Sequence, residues 1–143
     1  MSFSIHTVAS LREVSELIKL HNQAWNNSTG IIDLLENATE CFLLEADENQ
    51  NVIGYLFVER DNEKSFWEIN DIVIDPKNRK QGLGKMLLDY AMQKYDYIKL
   101  NADASNKNLI NFYLQAGFKR EADLENYYSI DKDAVRMFWK KEK

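Results

Sequence analysis

"DPKNRKQGLGKMLLDYAMQ", residues 75–93, places a proline, a basic cluster and two closely spaced glycines directly ahead of an amphipathic run. From Gly82 onward, Leu83, Met86, Leu87, Tyr90 and Ala91 fall at i, i+3, i+4, i+7 and i+8, the stripe of a core-facing helix. A helix start offers unpaired N–H groups and the positive end of the macrodipole. Glycines let that backbone approach a ligand closely, and Arg79, Lys80 and Lys85 add positive charge. The combination predicts a cradle for an anion such as a pyrophosphate. It is not a P-loop, which needs Gly-Lys-Ser/Thr, nor a dinucleotide fingerprint, which would follow a first strand and carry a third glycine. A glycine-softened turn with solvated lysines has the same local spelling, so the flanking elements must decide.

Upstream, residues 65–75, "SFWEINDIVID", read as a strand that Pro76 ends, because proline cannot donate to a ladder. Residues 40–46 and 51–60 are apolar strands joined by the polar turn "DENQ", and "DNEK" makes the next turn. Near the N-terminus, residues 4–8 alternate like a short strand, and Ser10 with Glu13 forms a capping box. Leu11, Val14, Ile18, His21 and Trp25 follow at helical spacing, and residues 31–38, "IIDLLENA", predict a shorter second helix. Downstream, "YIKLNADA" is a strand, and residues 106–117 are a helix with Leu109, Phe112, Tyr113 and Ala116 on one face and Gly117 as its stop. Two further strands close the chain.

The resulting order, β-α-α-β-β-β-α-β-α-β-β, predicts an α/β fold with a mixed, mostly antiparallel sheet and helices on both faces. At 143 residues, with 45% hydrophobic and 29% charged side chains and no linker or repeat, residues 1–143 read as one domain. A net charge of −5 gives no field that would draw the chain to nucleic acid or to an anionic membrane. No apolar run approaches spanning length and no signal peptide is apparent, so the expected location is cytoplasmic. The single cysteine, Cys41, sits in an apolar strand and reads as a small core residue. The two histidines, His6 and His21, read as ordinary strand and helix residues, and no His/Cys grouping has metal-ligand spacing.

The pattern Arg79-x-x-Gly82-x-Gly84 after a strand resembles the acetyl-CoA loop of the GNAT (GCN5-related N-acetyltransferase) superfamily. A second stretch, "SNKNLINFYLQAGF", resembles that family's later Asn-then-helix segment ending Tyr-x-x-x-Gly-Phe, here Asn106, Tyr113, Gly117 and Phe118. The two motifs cover roughly residues 66–118, and the element order extends the likeness to the whole chain. The resemblance implies transfer of an acetyl group from acetyl-CoA, as cosubstrate, to a primary amine by direct attack. It implies that backbone amides along Arg79, Lys80, Gln81, Gly82, Leu83, Gly84 and Lys85 hold the pyrophosphate. Main-chain groups of Ile72 and Ile74 would pair with the pantetheine arm, Asn106 would contact it from the other side, and Tyr113 would protonate the leaving thiolate. No metal is implied.

Direct attack needs a deprotonated amine, hence a base or a water chain. Glu68 stands where the histone-acetyltransferase branch of the family carries its glutamate base, and it is the expected base; a simple solvent-facing role is the other reading. Asp71 is the second candidate. By strict strand alternation Glu68 and Asp71 point to opposite faces. The tail "ENYYSIDKDAVRM" is similar to the ribosomal-protein alanine N-acetyltransferase branch, which would place Tyr127 or Tyr128 at the acceptor site. That branch carries a catalytic glutamate on the fifth strand where this chain has Asn101, which cannot act as a base. The acceptor is left open between a small-molecule and a peptide amine, and a homodimer is among the arrangements such folds allow. The competing reading from another class is a non-catalytic acyl-CoA-binding or regulatory domain.

Overall fold

The computed structural model describes residues 2–25, 40–60, 63–79 and 81–142. Its elements are β1 (Phe3–Thr7), α1 (Leu11–Trp25), β2 (Glu40–Ala46), β3 (Val52–Glu59), β4 (Trp67–Ile74), a 3₁₀ turn (Pro76–Asn78), α2 (Leu83–Lys94), β5 (Tyr97–Asp103), α3 (Lys107–Ala116), β6 (Lys119–Ser129) and β7 (Lys132–Lys140). The expected order is observed wherever residues are described; the helix expected over 31–38 lies outside them, as does Lys80.

The described strands form one seven-stranded sheet in the order β1-β2-β3-β4-β5-β7-β6. Every pairing is antiparallel except β4 with β5. Strand β7 inserts between β5 and β6, leaving β6 as an edge. That edge is almost wholly exposed, and Lys119, Arg120, Glu121, Asp123 and Glu125 along it discourage strand addition by another chain.

The sheet buries both faces. Helices α2 and α3 cover one, where Phe42, Leu56, Ile69, Leu87, Leu88, Ile98 and Leu100 pack together. Helix α1 covers part of the other through Leu17 and Leu20 against Leu43, Tyr55, Phe57 and Val73. Two helical stripes are rotated from their expected positions. In α1 the buried residues are Glu13, Leu17, Leu20 and His21, while Leu11 is 88% exposed. In α2, Leu88 is buried and Met86 is exposed. In each case the apolar face is wider than the strip the covering element needs, and tertiary contact selects which edge is used.

Local capping follows the sequence. Ser10 Oγ accepts from the N–H of Glu13 at 3.2 Å, and Glu13 reaches back to the N–H of Ala9 at 2.7 Å. Gly117 ends α3 at φ +110°, a conformation that costs other residues a clash between Cβ and backbone.

The start of α1 is tied to the sheet by a grouping that linear spacing does not show: His6 Nε2 lies 3.2 Å from Glu45 and 3.5 Å from Glu13. The Thr7 carbonyl beside the ring, with Glu45 and Glu13, holds His6 above its usual value against a smaller opposing effect of burial. A raised histidine contributes stability that is complete below its unfolded value, near 6.5, and is lost as pH climbs through the folded value. The expected outcome is a small fall in Tm between pH 6 and pH 8.5, on the order of 1–2 °C because the ring is largely solvated. His6→Gln should remove that fall; thermal melts of both proteins across the range check it, and equal slopes would dismiss the tie.

Candidate active site

Strands β4 and β5 pair only through Trp67, Glu68 and Ile69 against Ile98, Lys99 and Leu100. Beyond that point they diverge, so the β5-facing backbone edge of Asn70 through Ile74 has no partner in β5. Two cavities open into this splay. One, of about 610 Å³, runs along Ile72–Ile74 to the start of α2 and is lined by Asn78, Arg79, Gly82, Leu83, Gly84 and Lys85. The other, of about 470 Å³, is lined by Asn70 and Asp71 on β4, by Asn101 and Asp103 on β5, and by Tyr113, Tyr128 and Lys132. Both are lined by Ile72, Asn106 and Leu109, where they meet.

The first cavity ends at a helix start whose backbone N–H groups are left open. Gly82 is the N-cap of α2 at φ +74°, and as glycine it brings no side chain to satisfy the helix's first amides. The first intrahelical bond runs from the N–H of Met86 to the carbonyl of Gly82 at 3.1 Å, so the amides of Leu83, Gly84 and Lys85 precede the ladder. A left-handed glycine followed by open N–H groups and a helix dipole is geometry suited to an anion. Of the expected loop residues, Gln81 is described but does not line the cavity. Lys85 pairs with Asp89 at 2.8 Å on the exposed surface. Asn106 has a structural duty, because its Oδ1 accepts from the N–H of Leu109 at 3.1 Å and caps α3. That cap uses Oδ1 and not the amide N–H₂.

The second cavity collects the chemistry. Tyr113 is buried, 4% exposed, on α3. Burial first, then the charge of Asp71 and then Tyr128, push its hydroxyl above the ordinary phenol value. It therefore keeps its proton at neutral pH and is available as a donor. Tyr128 lines this cavity and its neighbour Tyr127 packs edge-on against it at 4.9 Å; both are about half-exposed.

The two β4 carboxylates are placed by an irregularity that alternation cannot reveal. The register with β3 steps from Val58↔Ile69 to Phe57↔Asp71, so Asn70 is an extra, bulged residue. The bulge reverses parity: Glu68 opposite Glu59 and Asp71 opposite Phe57 share the α1 face of the sheet. The expectation that they point to opposite faces is thus corrected. They nevertheless do different things. Glu68 is bound by Arg136 at 2.9 Å, and Arg136 also donates to Asn101 Oδ1 at 3.0 Å. Glu68 lines neither cavity. Asp71, with its side chain 4% exposed, lines the cavity that holds Tyr113.

Behind Asp71 stand residues that the sequence did not mark as functional. Tyr55 on β3 donates to Asp71 Oδ2 at 2.7 Å, and His21 Nδ1 on α1 lies 2.9 Å from the Tyr55 hydroxyl. Only the polar letters inside otherwise apolar stripes could have signalled them. Cys41 packs against the same face, and burial pushes its thiol up to about 12, which suits a core residue and not a nucleophile.

The sequence signature of the acetyltransferase (GNAT) family matches residues 9–118. The N-alpha-acetyltransferase 30 of Xenopus laevis is 30% identical over 105 residues, 68% of this chain and 38% of that protein. The chain spans well under half the length of the curated relatives it matches. The ribosomal-protein-S18-alanine N-acetyltransferase from Escherichia coli superposes with a TM-score of 0.81 at 19% identity, over 99% of this chain and 96% of that one. A GNAT acetyltransferase from Elizabethkingia anophelis with acetyl-CoA bound superposes with a TM-score of 0.82 at 18% identity, over 96% and 97%. These two likenesses are of fold.

Proposed function

The chain belongs to the acetyltransferase (GNAT) family, and from that premise we propose that it transfers the acetyl group of acetyl-CoA to a primary amine. The observation that carries this reading is the continuity of the splay: one cavity begins at an uncapped helix start and meets another that holds a buried carboxylate and a buried phenol. An anion cradle at one end and an acid–base pair at the other are what a phosphate-bearing acyl donor and an amine require. A volume of about 610 Å³ lies within the usual range of ligand sites.

When bound, acetyl-CoA supplies an activated acetyl group as a thioester. The amides of Gly82 to Lys85 and the side chain of Arg79 hold its pyrophosphate, with Lys80 and Gln81 in the same loop. The unpaired backbone of Ile72 and Ile74 takes the pantetheine arm as an added strand would, and Asn106 closes the other side. Asp71 holds the acceptor's ammonium by charge and accepts its proton, freeing the nitrogen lone pair to attack the acyl carbon. As the carbon–sulfur bond breaks, Tyr113 donates to the departing thiolate. We assign the base to Asp71 in place of Glu68, because Glu68 is committed to Arg136 and lies outside the cavity lining. The acceptor is a small-molecule or peptide amine.

An acetyl-CoA thiol-release assay across a panel of peptide, amino-acid, polyamine and aminoglycoside amines tests the reading. Release with at least one amine is expected. Tight acetyl-CoA binding with no release for any amine would make the chain a binding domain.

Tyr113→Phe should lower kcat with little change in KM. A general acid contributes about 10²–10⁴, and the elevated phenol favours the lower end. A phenol held above its ordinary value, about 10, parts more reluctantly with its proton to the departing thiolate. Steady-state kinetics at saturating acetyl-CoA check this. A rise in acetyl-CoA KM with unchanged kcat would recast the hydroxyl as a binding group.

A further inference from the structure

Asp71, Tyr55 and His21 come from three different elements and meet inside an apolar layer. The surrounding side chains are Leu17, Leu20, Leu43, Phe57 and Val73. Asp71 is 6% exposed, His21 3% and Tyr55 fully buried. Three polar side chains at such a place are less favourable than apolar ones of the same volume unless they serve a purpose. All three are linked: Tyr55 donates to Asp71 Oδ2 at 2.7 Å, His21 Nδ1 is 2.9 Å from the Tyr55 oxygen, and His21 Nδ1 is 3.5 Å from Asp71 Oδ2.

The donor order follows from chemistry. An ionised carboxylate only accepts, so the Tyr55 hydroxyl hydrogen points at Asp71. The tyrosine oxygen then has only lone pairs to offer His21, which must present Nδ1–H. That assignment leaves Nε2 outside the chain, and it is a buried nitrogen with no hydrogen-bond partner among the described residues. The His21 dipole is thus oriented by the tyrosine, and the tyrosine by the carboxylate. Each bond polarises the next toward Asp71.

We propose that Tyr55 and His21 are positioning residues for acetyl transfer: they fix the Asp71 carboxylate toward the acceptor cavity and favour its ionised form. The proposal rests on the reading of Asp71 as the base. Hydrogen bonds to the charged form of a carboxylate favour that form. Among the described residues, the groups that face Asp71 include Tyr55 from β3, His21 from α1 and Tyr113 from α3, with Asp103, Tyr128 and Lys132 lining the same cavity. Of these, Tyr55 donates to the carboxylate at an ordinary hydrogen-bond length of 2.7 Å, so its removal should be felt most strongly.

The test uses Tyr55→Phe, His21→Leu and His21→Asn, with wild type as reference. Asn carries its amide N–H₂ close to where Nδ1–H stands and serves as the conservative rescue. Two readouts are taken on each protein: the pH titration of the Asp71 carboxyl carbon by ¹³C NMR, and the pH dependence of kcat/KM for the amine at saturating acetyl-CoA. In Tyr55→Phe both the Asp71 midpoint and the acidic limb should move up together by about one unit, with kcat down about ten- to a hundredfold. His21→Leu should shift both in the same direction by less, and His21→Asn should restore them. Acetyl-CoA affinity by calorimetry should stay unchanged throughout. A Tyr55→Phe protein that loses only melting temperature and keeps the wild-type midpoint and limb overturns the proposal, as does a midpoint that moves while the limb does not. A wild type that releases no thiol with any amine overturns the transferase reading itself, a result distinct from an active wild type whose limb stays put.

Discussion

Asp71→Asn should reduce kcat by about 10²–10⁴, the range that a positioned acid or base contributes. Asparagine keeps the shape of the side chain, and its carbonyl can still accept from Tyr55, so the buried network survives with its charge removed. What disappears is the negative group proposed to hold an ammonium and take its proton. Because the cavity at Asp71 is shared with Tyr113, the loss falls on turnover and acceptor affinity, not on acetyl-CoA binding. Activity should recover in part as pH rises, since a larger fraction of free amine then arrives already deprotonated. Glu68→Gln is the matched control. It weakens an ion pair with Arg136 that is partly solvated, so stability should fall by no more than about 1 kcal/mol and kcat/KM should stay near wild type. The opposite ranking in pH-rate profiles of the two variants would return the base to Glu68.

Gly84→Glu should weaken acetyl-CoA binding by a hundredfold or more, a change of about 2.8 kcal/mol. A Cβ at Gly84 would stand 3.7 Å from Phe112 and 3.9 Å from Ile74, ordinary contacts with two residues of the first cavity's wall. Alanine therefore fits, and Gly84→Ala should bind nearly as well as wild type. A longer chain extends from that Cβ into the cavity, and a carboxylate there opposes a pyrophosphate at the helix start, where juxtaposed like charges cost several kcal/mol. Gly82→Ala acts differently. Among the described residues nothing lies within 4 Å of its added Cβ, but φ +74° strains the backbone by about 1–2 kcal/mol. Its defect should show in melting temperature and in the shape of the loop. Calorimetric titration of acetyl-CoA into the three variants separates volume and charge from strain. Wild-type affinity in Gly84→Glu would place the cradle elsewhere.

Much of this was legible in the chain itself. A helix start without a capping side chain, with basic residues and two glycines around it, is readable from the letters, because its amides belong to the local backbone. The Ser10–Glu13 box, the stop at Gly117 and the strand end at Pro76 are equally local, and each sits where its residues demand. Element order followed from hydrophobic period, and with it the mixed sheet.

What the sequence could not determine depends on register and on contact between distant elements. Strict alternation sent Glu68 and Asp71 to opposite faces, but a bulge at Asn70 inserts one residue without changing any letter and brings them to the same side. A bulge is a relation between two strands, so no single strand encodes it. Glu68 then finds Arg136 of β7, sixty-eight residues away by number, and becomes half of an ion pair. His21 looked like one more residue of a helical stripe, and Tyr55 like a strand aromatic; only the packing of α1 on β3 and β4 joins them to Asp71. The sequence by itself marked the glycine-flanked helix start, since its open amides are local backbone chemistry. Which carboxylate lies beside Tyr113 was decided by tertiary structure, because a buried charge acquires its role from the groups that fold around it.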